Sequence, residues 1–307
     1  MSRSSKPNLL QIEYALLALD EDAETANHCL RAPELLNKLQ KITAAGTYSP
    51  EIARFQIESQ PPVPYTDSVE SLLSVEKNMA DRRSATGKDR HENFECLTGA
   101  AYPSVKLKHP SPVDDDDDDA LGWRVELRSM ENSLTDFENA AFVVFVALVR
   151  RAVDRSGSGG GVNWYVPMEQ VWENMERAHA RDAVRWQRFW WKREGGEGGE
   201  SALLTVDEIV NGCAAFDGGL MGLVERYMAD EGFGFAEREK LQPYLDIVRG
   251  RASGRLCTTA RFMRDFVTRH PEYARDSQVS EKVCFDLMQE VVRITNGKRD
   301  CGLFQSL

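Results

Sequence analysis

The 307-residue chain carries 38 basic and 49 acidic side chains, a formal net charge of −11, with 42% hydrophobic and 28% charged residues. That is soluble globular composition, sufficient for one large domain or two smaller ones, and its acidity argues against a nucleic-acid binder, which displays a basic face. No secretory signal is read in residues 1–8, and the longest apolar stretch, residues 140–149, falls far short of the ~20 needed to cross a bilayer. A cytoplasmic protein without membrane contact is therefore expected.

Residues 9–19 form a short apolar run with Glu13 embedded, which reads as a strand. Residues 33–41 read as a short helix with Pro33 in its first turn. Residues 51–59 alternate, with Phe55 and Ile57 on one face and Gln56 and Glu58 on the other. Three prolines make residues 60–65 an extended loop. Residues 67–83 follow as an amphipathic helix through Val69, Leu72, Leu73, Val75 and Met79, capped by Asp67. Residues 84–121 read as mostly irregular, and the run of aspartates at 114–119 as a solvated loop.

Residues 122–128 predict a strand. Residues 133–155 give the clearest helix, with Thr135 and Glu138 spaced as a capping box and residues 140–149 buried almost all round. The glycine-rich stretches 156–161 and 195–199 lack the Gly-Lys-Ser/Thr ending of a phosphate loop and read as flexible connections. Residues 167–192 read as one helix bearing Trp172, Trp186, Trp190 and Trp191. For Trp186, Trp190 and Trp191, packing inward is preferred over lining a partner surface. Further helices are expected over 205–211, 219–229, 237–249, 258–269 and 279–295. The six cysteines are scattered without a CxxC, so free thiols in a reducing compartment are expected and a zinc site is not. None of the five histidines is assigned to catalysis.

The chemistry resides on the strands. Successive side chains alternate across a strand, so Trp123, Val125 and Leu127 face one way and Arg124, Glu126 and Arg128 the other. Glu13 between Ile12 and Tyr14, and Glu58 beside Ile57, repeat the pattern. Carboxylates converging within a sheet need cations to hold them. Mg²⁺ takes oxygen ligands from carboxylates and phosphates, and arginine grips phosphate or carboxylate in bidentate fashion. The same spacing also fits cross-strand ion pairs on a solvated face, and position alone leaves both readings open.

Two runs carry a family resemblance: Gly122-Trp123-Arg124-Val125-Glu126-Leu127-Arg128-Ser129-Met130-Glu131 and Leu134-Thr135-Asp136-Phe137-Glu138-Asn139-Ala140-Ala141-Phe142. With Glu173-Asn174-Met175, Arg181-Asp182-Ala183-Val184, residues 206–212, Arg251-Ala252-Ser253-Gly254 and His270-Pro271-Glu272-Tyr273 in the same order, the chain resembles the eukaryotic glutamate–cysteine ligase catalytic subunit. Ile12-Glu13-Tyr14, Pro50-Glu51, Ile57-Glu58 and Asn78-Met79 with Arg82-Arg83 extend the resemblance toward the N-terminus.

The resemblance implies an ATP-dependent, Mg²⁺-assisted ligation of L-glutamate, through its γ-carboxylate, to L-cysteine, the first step of glutathione biosynthesis. It implies metal binding by Glu13, Glu51, Glu58 and Glu126, a substrate and phosphate contact from Arg128, and a regulatory (modifier) subunit as partner. The implied fold is α+β. A glutamine-synthetase-like antiparallel sheet would occupy residues 9–128, with a helical region over 129–307 packed on it. The sheet would be incomplete, because a long central block of the family is missing after Arg83. Gln11 stands where the family has a glutamate. A chain so shortened also fits an inactive paralogue or fragment that acts as an interaction partner.

Overall fold

The structure, a computed structural model, describes residues 12–39, 41, 46–50, 56–66, 68–86, 93–95, 105–108, 124–127, 133–157, 165–193 and 200–296. Within them the chain is α+β, as expected. Strand β1 (Ile12–Asp20) turns into β2 (Thr25–His28), and the Asp20 carboxylate closes the turn by accepting from the backbone N–H groups of Asp22 and Ala23 at 3.1 and 2.9 Å. Helix α1 (Ala32–Leu39) leads to β3 (Thr47–Pro50) and β4 (Gln56–Gln60). The strands assemble antiparallel in the order β2-β1-β4-β3, and β5 (Asn93–Glu95) pairs with β1. Strands β6 (Val105–Lys108) and β7 (Arg124–Leu127) form a separate two-stranded sheet.

Short strands β5 and β6 lie where residues 84–121 read as irregular. At three and four residues they are too short to show a period in sequence, and tertiary pairing creates them. Strands β2 and β3 escaped notice for the same reason.

One face of the sheet is sealed by helices. Ile57 and Ser59 of β4 are fully buried, and Ile57 and Tyr48 pack with Ala32, Leu36 and Leu39 of α1. Helix α2 (Val69–Thr86) buries Leu72, Val75 and Met79 on one stripe, and the next position of that stripe is Arg82, also fully buried. Its Nη1 donates to the backbone carbonyl and hydroxyl of Ser59, both at 3.1 Å, while its own carbonyl accepts from the Tyr48 hydroxyl at 3.3 Å. Gly46 is required beside it, because a Cβ there would stand 2.3 Å from the Gln60 carbonyl and 2.9 Å from Arg82 Cδ. The proposed Asp67 cap lies outside the described residues.

Helix α3 (Asp136–Gly157) is the central element of the helical layer, and none of residues 134–153 is exposed. It packs on α2, on α7 (Gly219–Asp230) and on α8 (Phe235–Ala252), and a single apolar cluster runs through Val75, Val144, Leu148, Val224 and Leu245. Helices α9 (Thr259–Arg269) and α10 (Glu281–Thr295) close a smaller cluster around Leu134.

The single helix expected over 167–192 does not form. Helix α4 (Met168–Ala178) ends, Asp182 turns left-handed at φ 51°, and one short turn α5 (Ala183–Trp186) precedes strand β8 (Arg188–Lys192). Phe189, Trp190 and Trp191 are strand formers, and they pair in register with β9 (Ser201–Thr205), which leads into helix α6 (Val206–Asn211). The inward reading of the tryptophans is corrected at Trp186, which is exposed, as is Trp172. Trp191 does pack inward, against Phe216. The described cysteines, Cys29, Cys213, Cys257 and Cys284, are free thiols. No helix among the described residues is long and apolar enough to cross a membrane.

Candidate functional site

Antiparallel pairing of β1 with β4 sets Glu13 directly opposite Glu58, and pairing of β4 with β3 sets Ser49 opposite Glu58 on its other side. Glu13, Glu58 and Ser49 thus form one row across three strands. Directly opposed residues hold their Cβ atoms ~4.5–5.5 Å apart and share a face of the sheet. Like charges in direct cross-strand register are destabilising as a rule unless other groups offset them. Register alone explains the juxtaposition: Ile57 and Ser59 must point to the buried side, so Glu58 points to the other.

The Glu58 side chain is half-buried, and one of its oxygens accepts a hydrogen bond from the Ser49 hydroxyl at 3.0 Å. On the sealed side, Arg82 fastens the neighbouring Ser59 to helix α2. Burial pushes the Tyr65 and Tyr48 phenols above their usual range, and the Arg82 cation partly offsets this.

Of the other expected site residues, Glu126 lies on β7, directly opposite Lys106 of β6. Strand pairing therefore brings Glu13 and Glu58 into one sheet and leaves Glu126 in another, in register with Lys106. Glu51 and Arg128 lie outside the described residues, as does the aspartate run. Among the described residues, no group of three or more His, Cys, Asp or Glu could hold a metal ion.

The chain just downstream of Arg128 enters α3 through a network that sequence reasoning caught only in part. The expected Thr135–Glu138 cap is present, with the Glu138 N–H donating to Thr135 Oγ1 at 3.2 Å and that hydroxyl donating to Glu138 Oε2 at 2.9 Å. Arg251 of α8 reaches the same carboxylate as a buried ion pair. Burial pushes the Glu138 acid above its ordinary range, against the opposing pull of Arg251 and Thr135. Arg83 bridges Asp136 at 2.9 Å, Asn139 brackets the Ser133 backbone at 3.0 and 3.3 Å, and Thr295 donates to the Leu134 carbonyl at 2.9 Å. The start of α3 is thereby tied to α2, α8 and α10. A glutamate at the head of an apolar run was the available signal for the Arg251 contact; its partner, more than a hundred residues away, had none.

Comparison with known proteins points one way. The sequence model of the glutamate-cysteine ligase family matches residues 10–104 and 85–294. The chain is similar to the glutamate–cysteine ligase of Schizosaccharomyces pombe, 35% identical over 217 residues that cover 68% of this chain and 31% of that protein. It is similar to that of Neurospora crassa, 35% identical over 264 residues covering 69% and 35%. The Homo sapiens catalytic subunit is 31% identical over 229 residues covering 68% and 34%. The chain spans about a third of the length of the curated relatives it matches.

Proposed function

Because this chain belongs to the glutamate–cysteine ligase family, we propose that it takes part in ATP-dependent joining of L-glutamate to L-cysteine, the first step of glutathione biosynthesis. The observation that supports this most directly is the cross-strand opposition of Glu13 and Glu58. A hard divalent cation fits that pair, because Mg²⁺ prefers carboxylate and phosphate oxygens and removes the repulsion between them. Glu13 and Glu58, with Glu51 and Glu126, are proposed as the residues that hold it. Bound there, such an ion neutralises charge on the phosphates of ATP.

In this reading the γ-carboxylate of glutamate takes the terminal phosphoryl group of ATP, forming an acyl phosphate and ADP. The amine of cysteine then attacks the acyl carbon and expels phosphate. Arg128 grips a phosphate or carboxylate by its paired N–H donors. The Ser49 hydroxyl orients one Glu58 oxygen. The reading extends to a glutamine-synthetase-like sheet over residues 9–128 with a helical region over 129–307, to action in the cytoplasm, and to association with a modifier subunit.

The test is phosphate release from Mg·ATP with glutamate and cysteine supplied singly and together, with the dipeptide identified by mass spectrometry. Release that needs both amino acids, and product with the γ linkage, is expected. No product, or release indifferent to the amino acids, would overturn the proposal and leave association with a longer relative as the role to assay.

A further inference from the structure

Helix α4 is inside out. Its residues Gln170, Glu173, Asn174 and Arg177 face the β8–β9 hairpin. Asn174 donates to the Trp190 carbonyl at 2.9 Å and accepts from its N–H at 2.6 Å. Glu173 accepts from the Trp190 indole at 2.7 Å, and Gln170 accepts from the Ser201 hydroxyl at 2.6 Å. The opposite stripe, at helical spacing, is Met168, Trp172 and Met175, which are 54%, 61% and 46% exposed. No residue of this helix is buried. A surface helix normally turns its apolar stripe inward; here the polar side is fixed by hydrogen bonds and the apolar side is presented outward.

The edge of that stripe identifies what fits it. Glu169 and Glu176 each lie one turn from Trp172 along the helix and join Glu173 and Arg177 in lining an open groove with it. Glu173 is engaged by the Trp190 indole and by Arg177 at 3.4 Å. An exposed indole beside carboxylates is a seat for an alkylammonium or guanidinium group, held by the ring face and by charge. A second copy of this chain fits poorly. Antiparallel pairing of two such helices about a twofold axis sets the two acidic edges side by side, and each chain carries a net charge of −11.

We propose that the outward face of α4 is a docking surface for a basic amphipathic helix of another protein, one with an apolar stripe flanked by lysine or arginine. Met168, Trp172 and Met175 receive the stripe, and Glu169 and Glu176 receive the cations. This mode of recognition lays an amphipathic helix on an apolar strip, with Trp172 as its central anchor.

The test is fluorescence anisotropy of a labelled synthetic helix with a leucine stripe and flanking lysines, titrated with the intact chain. A matched peptide with glutamates in place of the lysines serves as control. The lysine peptide should bind, and rising salt should weaken it. Trp172→Ala should weaken it by roughly 30-fold, as expected for a central aromatic anchor. The double variant Glu169→Lys, Glu176→Lys should also weaken it and remove most of the salt dependence. These side chains lie on the outer face of α4, so circular dichroism and urea midpoints of the variants should match the native chain. The proposal is overturned if the lysine peptide does not bind, if the control binds equally well, or if Trp172→Ala leaves the affinity unchanged. Sedimentation showing a dimer that Trp172→Ala dissolves would assign the face to a second copy instead, and would also overturn it.

Discussion

Helix α3 and strand β4 each carry a glutamate, and the surroundings of Glu138 and Glu58 differ. Glu138 is wholly buried and matched: the Thr135 hydroxyl, the Thr135 backbone N–H and the Arg251 guanidinium converge on its carboxylate. Glu58 is half-buried, has a hydroxyl on one side and faces a second glutamate across the strand pair. The first arrangement is consistent with the packing around it and serves to hold the fold. The second sets like charges in direct cross-strand register, which nothing in sheet formation requires. Such conflicts with stability mark places where function sets the residue.

Breaking the matched glutamate gives the largest expected effect. Glu138→Ala leaves Arg251 buried without its partner and should cost about 3–5 kcal/mol in urea unfolding. Replacing both at once, Glu138→Leu with Arg251→Met, should recover most of that loss, because the ionised pair is costly to desolvate. The raised acidity range of Glu138 points the same way. Its folded value lies above the ordinary one, so its contribution is greatest below the ordinary value and is lost as pH rises through the folded value. The double variant should remove that part of the pH dependence. A double variant as unstable as the single one would show that the pair specifies packing beyond its charge.

A smaller effect is expected at the seam between α8 and α2, where the Tyr244 hydroxyl donates to Glu76 at 2.6 Å. Burial and the Glu76 carboxylate both push the Tyr244 phenol well above its usual range, so the hydroxyl keeps the proton it donates as pH rises. Tyr244→Phe should cost about 1.5 kcal/mol, the value of a hydrogen bond to a charged group. No change would mean that the apolar contacts of the ring, against Phe137 among others, carry the seam alone.

Smaller again is the cap of α6. Thr205 Oγ1 accepts from the Glu208 N–H at 3.1 Å, and the Thr205 N–H donates back to Glu208 at 2.7 Å. That backbone bond, with Thr205 and Arg188, holds the Glu208 carboxyl below its ordinary value of 4.5. Its contribution is therefore present above the ordinary value and is lost as pH falls through the folded one. Thr205→Ala should cost about 1 kcal/mol, and an NMR titration should show the Glu208 value returning upward.

The comparison between the two glutamates also separates what the sequence disclosed from what it concealed. The Thr135–Glu138 cap, the buried run of α3 and the apolar stripe of α2 follow from helical spacing, a local rule. The strand–helix–strand identity of β1, α1 and β4 was legible from alternation and a first-turn proline. What stayed hidden was non-local. The register that opposes Glu13 to Glu58 depends on which strand pairs with which, and Arg251 reaches Glu138 only once α8 lies on α3. The end of α4 was missed because a run of tryptophans fits either period until β9 is there to pair with it. The burial of Arg82 in an apolar stripe was not legible, because a helix pattern cannot show the Ser59 carbonyl waiting behind it.

The smallest expected change in stability is the most informative about Glu58. Glu58→Gln keeps the shape, retains an acceptor for the Ser49 hydroxyl and removes the repulsion with Glu13. Without divalent ions it should leave the chain as stable as the native protein or more so by a few tenths of a kcal/mol, the range of a cross-strand pair. Adding Mg²⁺ or Mn²⁺ should raise the unfolding temperature of the native chain, because a ligand that binds only the folded state stabilises it by mass action. The same addition should leave Glu58→Gln nearly unmoved. The two signs together, stability kept without metal and metal response lost, belong to a site that holds a cation. If Glu58→Gln instead weakens the metal-free chain by about 1 kcal/mol, and both proteins ignore divalent ions, then the bond from Ser49 is the purpose of Glu58. The row of Glu13, Glu58 and Ser49 would then be a feature of the sheet and not a centre for phosphoryl transfer.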